Sequence, residues 1–170
     1  KNISNSNNSP DDSKGHGTHV AGLIAADYNS QNGVRGVNPK AQIMPVKVGT
    51  NIGVSTEDLI EGIIYAVNNG ADVINISIGW SYDPYRETKE EYIARMENSP
   101  MKKAFQDAYK QDVIVAASAG NAGGYTSDYI DNFITYPARY DSVISVGAIN
   151  SELELASFSD YSEKLDFVVY

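Results

Sequence analysis

Three short apolar runs most constrain what this 170-residue chain can fold into: residues 73–78 (VINISI), 113–117 (VIVAA) and 143–146 (VISV). Each is too short for a helix and carries β-branched residues, so each reads as a buried strand. Helix-spaced segments stand between or before them. Ser55 with Asp58 three residues later reads as a capping box. The helix it opens carries Leu59, Ile60, Ile63, Ile64 and Val67 on one face, and Asn68-Asn69-Gly70 stops it. Residues 101–111 fit a second helix with Ala104, Phe105, Ala108 and Tyr109 inward. Residues 42–48 add another strand candidate. Alternating helix and strand predicts an α/β fold with a mostly parallel sheet covered by helices on both faces. No repeat or long linker interrupts the chain, so residues 1–170 read as one domain with a sizeable core.

Composition excludes more than it assigns. The net charge of −9 disfavours nucleic acid and anionic membrane surfaces, which repel an acidic protein. With no cysteine there are no disulfides and no thiolate metal sites. No apolar run approaches the roughly 20 residues that a membrane-spanning helix needs.

The chemistry concentrates at residues 15–22, GHGTHVAG, which set His16 between two glycines at the mouth of an apolar helix expected over residues 20–26. An imidazole titrates near neutrality and can take and return a proton, and glycine lets backbone or substrate come close. This octapeptide resembles the histidine block of the subtilisin-like serine proteases (subtilases, peptidase S8). Further blocks follow in the family's order: VINISIG at 73–79, VIVAASAGNAG at 113–123, YPA at 136–138, VISVGA at 143–148 and ASFS at 156–159.

The resemblance, spanning roughly residues 12–170, implies a three-layer subtilisin-like fold, incomplete in this chain, and a serine endopeptidase acting on polypeptides. It assigns His16 as general base and Asn121 as donor to the oxyanion, although a Gly-Asn pair also suits a plain turn. It makes Ser77, Ile78 and Gly79 one substrate-binding edge, pairing with an extended peptide by strand addition, and Ser118, Ala119 and Gly120 the facing wall. Thr135 then lies near the pocket floor, and an apolar or aromatic P1 side chain is expected. Calcium is a candidate structural ion, in the oxygen-rich loop 27–33 or at Asp166 with nearby carbonyls. A secreted or cell-surface bacterial location follows from the family alone.

Two members of the family's triad have no match. No strand ending in Asp-Thr-Gly or Asp-Ser-Gly precedes His16, and Asp11 and Asp12 sit in a Ser/Asn/Pro-rich run that reads as a surface loop. No Gly-Thr-Ser block occurs for the nucleophile. Ser118 would be wall rather than attacker, and Ser159 has no glycine-rich elbow to expose it. His19 is expected to be structural, and His16 with His19 lacks the third ligand that zinc needs. The expectation is a central fragment of a catalytic domain, inactive alone, with a propeptide or self-association through exposed sheet edges as further partners. The alternative is a catalytically inactive peptide-binding relic. Residues 80–99, aromatic and charged, read as a surface insertion whose helix over 87–96 packs its tyrosines on the body; shaping peptide specificity is the other option.

Overall fold

The computed structural model describes residues 1–4, 9–28, 33–123 and 134–170. They form two compact units, Lys1–Gly62 and Ile63–Tyr170, each taken in turn.

The first unit holds helix α1 (His16–Ala25) and the start of α2 (Thr56–Asn68). α1 opens at His16 itself, four residues before the apolar run that predicts it. Residues 36–38 return across its C-terminal end: the N–H groups of Gly36, Val37 and Asn38 donate to the carbonyls of Ala26, Leu23 and Ile24 at 2.8, 3.0 and 2.8 Å. These bonds satisfy carbonyls that a helix end leaves without an internal partner. The approach is so close that a Cβ on Gly36 would lie 2.5 Å from the Ala25 nitrogen.

The expected strand over 42–48 is not formed. Only Lys47 and Gly49 make isolated bridges, to Asn2 and Val54. Lys47 exchanges two bonds with the N-terminal segment, its N–H donating to Lys1 O and its carbonyl accepting from Ile3, both at 2.8 Å. Pro45, which has no N–H to donate, stands just before this bridge and cuts the ladder short. The segment still packs, since a Cβ on Gly62 of α2 would meet Val48 Cγ1 at 2.5 Å.

The second unit is built on four parallel strands in the order β1-β2-β3-β4: β1 (Val73–Ile76), β2 (Ile114–Ser118), β3 (Ile144–Ala148) and β4 (Phe167–Val169). Parallel neighbours need long crossovers, and two helices, α3 (Lys89–Glu97) and α4 (Pro100–Lys110), fill the first one. α4 packs on β2, and α3 on α4. The α/β expectation with a parallel sheet and flanking helices therefore holds.

Helix registers refine two inward assignments. In α4, Met101, Ala104, Phe105 and Ala108 are buried at helical spacing, whereas Tyr109 is exposed one step beyond the stripe. In α2, Leu59, Ile63 and Ala66 are buried, and Ile64 lies off that stripe in solvent. Ser55 Oγ does accept from the Asp58 N–H, at 3.0 Å.

Segment 80–99 enters the core through Tyr92 and Met96 of α3. Tyr92 of α3 is fully buried, as are Tyr136 and, nearly, Tyr140. Ring centroids step from Tyr92 to Tyr136 to Tyr140 to Phe105 at 5.8, 4.7 and 5.7 Å. Buried phenols need partners. Tyr136 donates to Glu97 at 2.6 Å, Tyr140 to Met96 O at 2.8 Å, and Tyr92 to Trp80 O. Burial pushes the Tyr92 hydroxyl up to about 12. α3 is started by a full capping box between Thr88 and Glu91, while Tyr85 before it stands in solvent.

Candidate active site

His16 is the first residue of α1, following Gly15 in the left-handed conformation (φ 78°), a geometry that glycine adopts without strain. Gly15 offers no side chain to cap the helix, and Asp12 takes over that task. Its Oδ1 accepts from the Lys14 and Gly15 N–H groups at 3.1 and 3.0 Å, and its Oδ2 from the Thr18 N–H and Oγ1 at 2.8 and 3.0 Å. The Thr18 N–H above all, helped by its hydroxyl and the other two N–H groups, lowers the Asp12 carboxyl to about 2. The sequence places Asp12 in an idle loop; the structure makes it the clasp that fixes the backbone on both sides of His16. An acidic residue just ahead of a helix is the signal that could have found it. His16 and His19 are both exposed at this helix start.

In the second unit, the two predicted substrate walls leave adjacent strand ends. Ile76 and Ala117 are register partners in the parallel pair β1–β2, so Ser77–Gly79 and Ser118–Gly120 emerge side by side at the carboxyl edge of the sheet. Such an edge is where open α/β sheets present ligand sites. Both walls lean on Thr135. A Cβ on Gly79 would lie 2.7 Å from Thr135 Oγ1, and one on Gly120 would lie 2.7 Å from Thr135 Cγ2. Thr135 is buried, and its N–H and Oγ1 both donate to Ala119 O, at 2.8 and 3.0 Å. The Trp80 N–H donates to Tyr136 O at 2.8 Å, tying the end of the first wall to the same segment.

Asn121 follows directly on the second wall and is exposed. Its loop is held by residues 158–160: Gly123 N–H donates to Phe158 O at 3.1 Å, Asp160 N–H to Gly120 O at 3.0 Å, and Ala122 N–H to Asp160 Oδ1 at 2.8 Å. Burial raises the Asp160 carboxyl, against the pull of the Ala122 and Gly123 N–H groups. Sequence reading passes over Asp160, whose one cue is an acidic residue inside an otherwise small and apolar block. Ser159 is buried; its hydroxyl accepts from the Ala148 N–H at 3.0 Å and donates to Asp160 O at 3.1 Å.

Asp166, the candidate metal ligand, is a tether between β3 and β4. Its Oδ2 accepts from the Ser145 N–H and Oγ, both at 2.8 Å. One of its oxygens is thus committed, and among the described residues no three His, Asp or Glu side chains gather as metal ligands. A calcium ion held by Asp166 with backbone carbonyls would have to share the carboxylate with Ser145. In the other candidate loop, residues 29–32 lie outside the described residues.

Known proteins resemble this chain over most of its length. The profile of the Subtilase family (Peptidase S8) matches residues 1–170. Subtilisin DY of Bacillus licheniformis is 41% identical over 156 residues, covering 91% of this chain and 50% of that protein. The major intracellular serine protease of Bacillus subtilis is 38% identical over 159 residues, covering 92% of this chain and 44% of that protein. Among solved structures, a psychrophilic subtilisin-like protease from Pseudoalteromonas sp. AS-11 superposes with a TM-score of 0.67 at 37% identity, over 88% of this chain and 30% of that one. The chain thus spans half or less of the relatives it matches.

Proposed function

The chain belongs to the subtilase family, and from that premise we propose that it is the central part of the catalytic domain of a serine endopeptidase. The observation that carries the reading is the carboxyl edge of the sheet, where Ser77–Gly79 and Ser118–Gly120 leave paired strands with Thr135 between them. An extended peptide would lie between these walls and bond to their backbone. Small residues on both sides and a buried threonine behind leave room for an apolar P1 side chain.

In this reading His16 accepts the proton of a serine supplied by the rest of the protein, then returns it to the leaving amine. The Asn121 amide donates to the oxyanion as the scissile carbon becomes tetrahedral. Its exposure at the wall's end suits that task, since the reacting carbonyl must reach it. An aspartate from outside this chain would orient His16, because Asp12 already spends its carboxylate on the α1 backbone. Calcium enters no step. Residues 1–170 would act as one domain with 80–99 as an insertion.

The test is hydrolysis of a chromogenic peptide with an apolar P1 by the full-length protein, together with labelling by a fluorophosphonate. His16→Ala should lower kcat by about 10⁶, the magnitude measured in subtilisin for loss of the same triad role. A folded full-length protein that binds peptides but neither cleaves nor takes the label would establish the inactive relic instead. Location is decided by fractionation. The resemblance predicts secretion or surface display, one relative is named as intracellular, and no helix among the described residues is long and apolar enough to cross a membrane.

A further inference from the structure

We infer that Asp160 is a positioning residue that aims the Asn121 amide, by holding the loop 120–123 from behind with its buried carboxylate. The inference rests on the oxyanion reading of Asn121 and deepens it.

Asn121 is exposed, and the residue before it, Gly120, stands at φ 123°, where side-chain-bearing residues are strained. Its placement is therefore set by its neighbours on either side. Gly120 is fixed through its carbonyl, which accepts from the Asp160 N–H at 3.0 Å. Ala122 is fixed through its N–H, which donates to Asp160 Oδ1 at 2.8 Å. One residue thus grips both flanks of Asn121, once by backbone and once by side chain. Gly123 adds a third bond to Phe158 O in the same segment.

Two further observations mark the side-chain grip as specific. Asp160 is only 5% exposed, so water cannot readily take over the Ala122 bond if the carboxylate is removed. The carboxylate also sits in the space that a Cβ on Gly120 would fill, so side chain and glycine are mutually fitted. Burial holds the carboxyl above its ordinary range, and the two N–H groups are what draw it back toward ionisation. A buried carboxylate whose bonds, among the described residues, go to the Asn121 loop is poorly explained as a generic core residue.

The test is a double-mutant cycle on peptide hydrolysis by the full-length protein. Asn121→Ala should lower kcat by about 10²–10³, a magnitude known from subtilisin itself. Asp160→Ala should lower kcat by about 10- to 100-fold with little change in KM, because a misplaced donor weakens the transition state rather than substrate binding. Asp160→Asn keeps an acceptor for the Ala122 N–H and should retain most of the turnover. In the Asn121→Ala background Asp160→Ala should cost less than about 2-fold, since its lever is gone. An equal cost in both backgrounds would mean that Asp160 acts only on stability, and would overturn the inference while leaving Asn121 in place. Unchanged kcat for Asn121→Ala in an active enzyme, or a full-length protein that cleaves nothing, would overturn the oxyanion reading and this inference with it. Should Asp160→Ala fail to fold, Asp160→Ser, too short to reach Ala122, runs the same cycle.

Discussion

Asp12 and His16 divide the labour of one short segment. A helix start leaves several N–H groups without internal partners. Asp12 accepts from two of them, at Gly15 and Thr18, and also from the Lys14 N–H and the Thr18 hydroxyl, so the histidine four residues on is free of any capping duty. The pH consequence follows in sign. The folded carboxyl titrates near 2, against 3.8 for the ordinary group, so its stabilising contribution is present above about 3.8 and is lost as pH falls toward 2. Carbon-13 NMR titration should place the Asp12 midpoint near 2; a midpoint at 3.8 would mean that the clasp does not form in solution. His16 is legible from sequence because two glycines and an apolar run mark it. Asp12 is not, because its four partners lie within six residues in an irregular turn that no periodicity describes. Asp160 escapes for the opposite reason, its partner Ala122 being 38 residues away.

Among the elements, α1 is closed at its far end by residues 36–38 rather than by a cap in its own sequence. Gly36→Ala would drive a methyl group into the backbone nitrogens of Ala25 and Ala26. The backbone must shift to accept it, at a cost of about 1–3 kcal/mol. Urea unfolding of the wild type and the variant measures this, and an unchanged midpoint would show that the return is not packed so closely. The strands over residues 73–76, 114–118 and 144–148 fall on the short apolar runs that predict them, but the first is not buried as expected: of its four residues only Ile76 is buried, and Val73 and Asn75 are exposed. Residues 42–48 fail as a strand because Pro45 withholds a donor, and among the described residues they bridge only at Lys47, to Asn2. Composition identifies a segment able to extend; a partner decides whether it becomes a strand.

For the molecule as a whole, the core of the second unit runs from segment 80–99 to α4 through rings in tilted and edge-on contact. Phe105 is fully buried at the end of that series, against Tyr140. Phe105→Ala should destabilise by about 3–5 kcal/mol, since the rigid neighbours cannot close the cavity. Thermal unfolding of the full-length protein measures it, and a loss below 1 kcal/mol would show that the rings repack. The sequence predicts that the helix over 87–96 packs its tyrosine on the body, and Tyr92 is buried there, whereas the ring contacts beyond it are not legible; Tyr85, which precedes α3, is exposed. The sheet order β1-β2-β3-β4 has one more implication. Spatial order and chain order coincide, so a polypeptide leaving the ribosome amino end first always offers its next strand to the edge laid down last. None of these four strands has to wait for a later one of the four to be inserted between it and its neighbour. The pair β1–β2, whose ends carry the proposed substrate walls, can thus form before β3 and β4 have been synthesised.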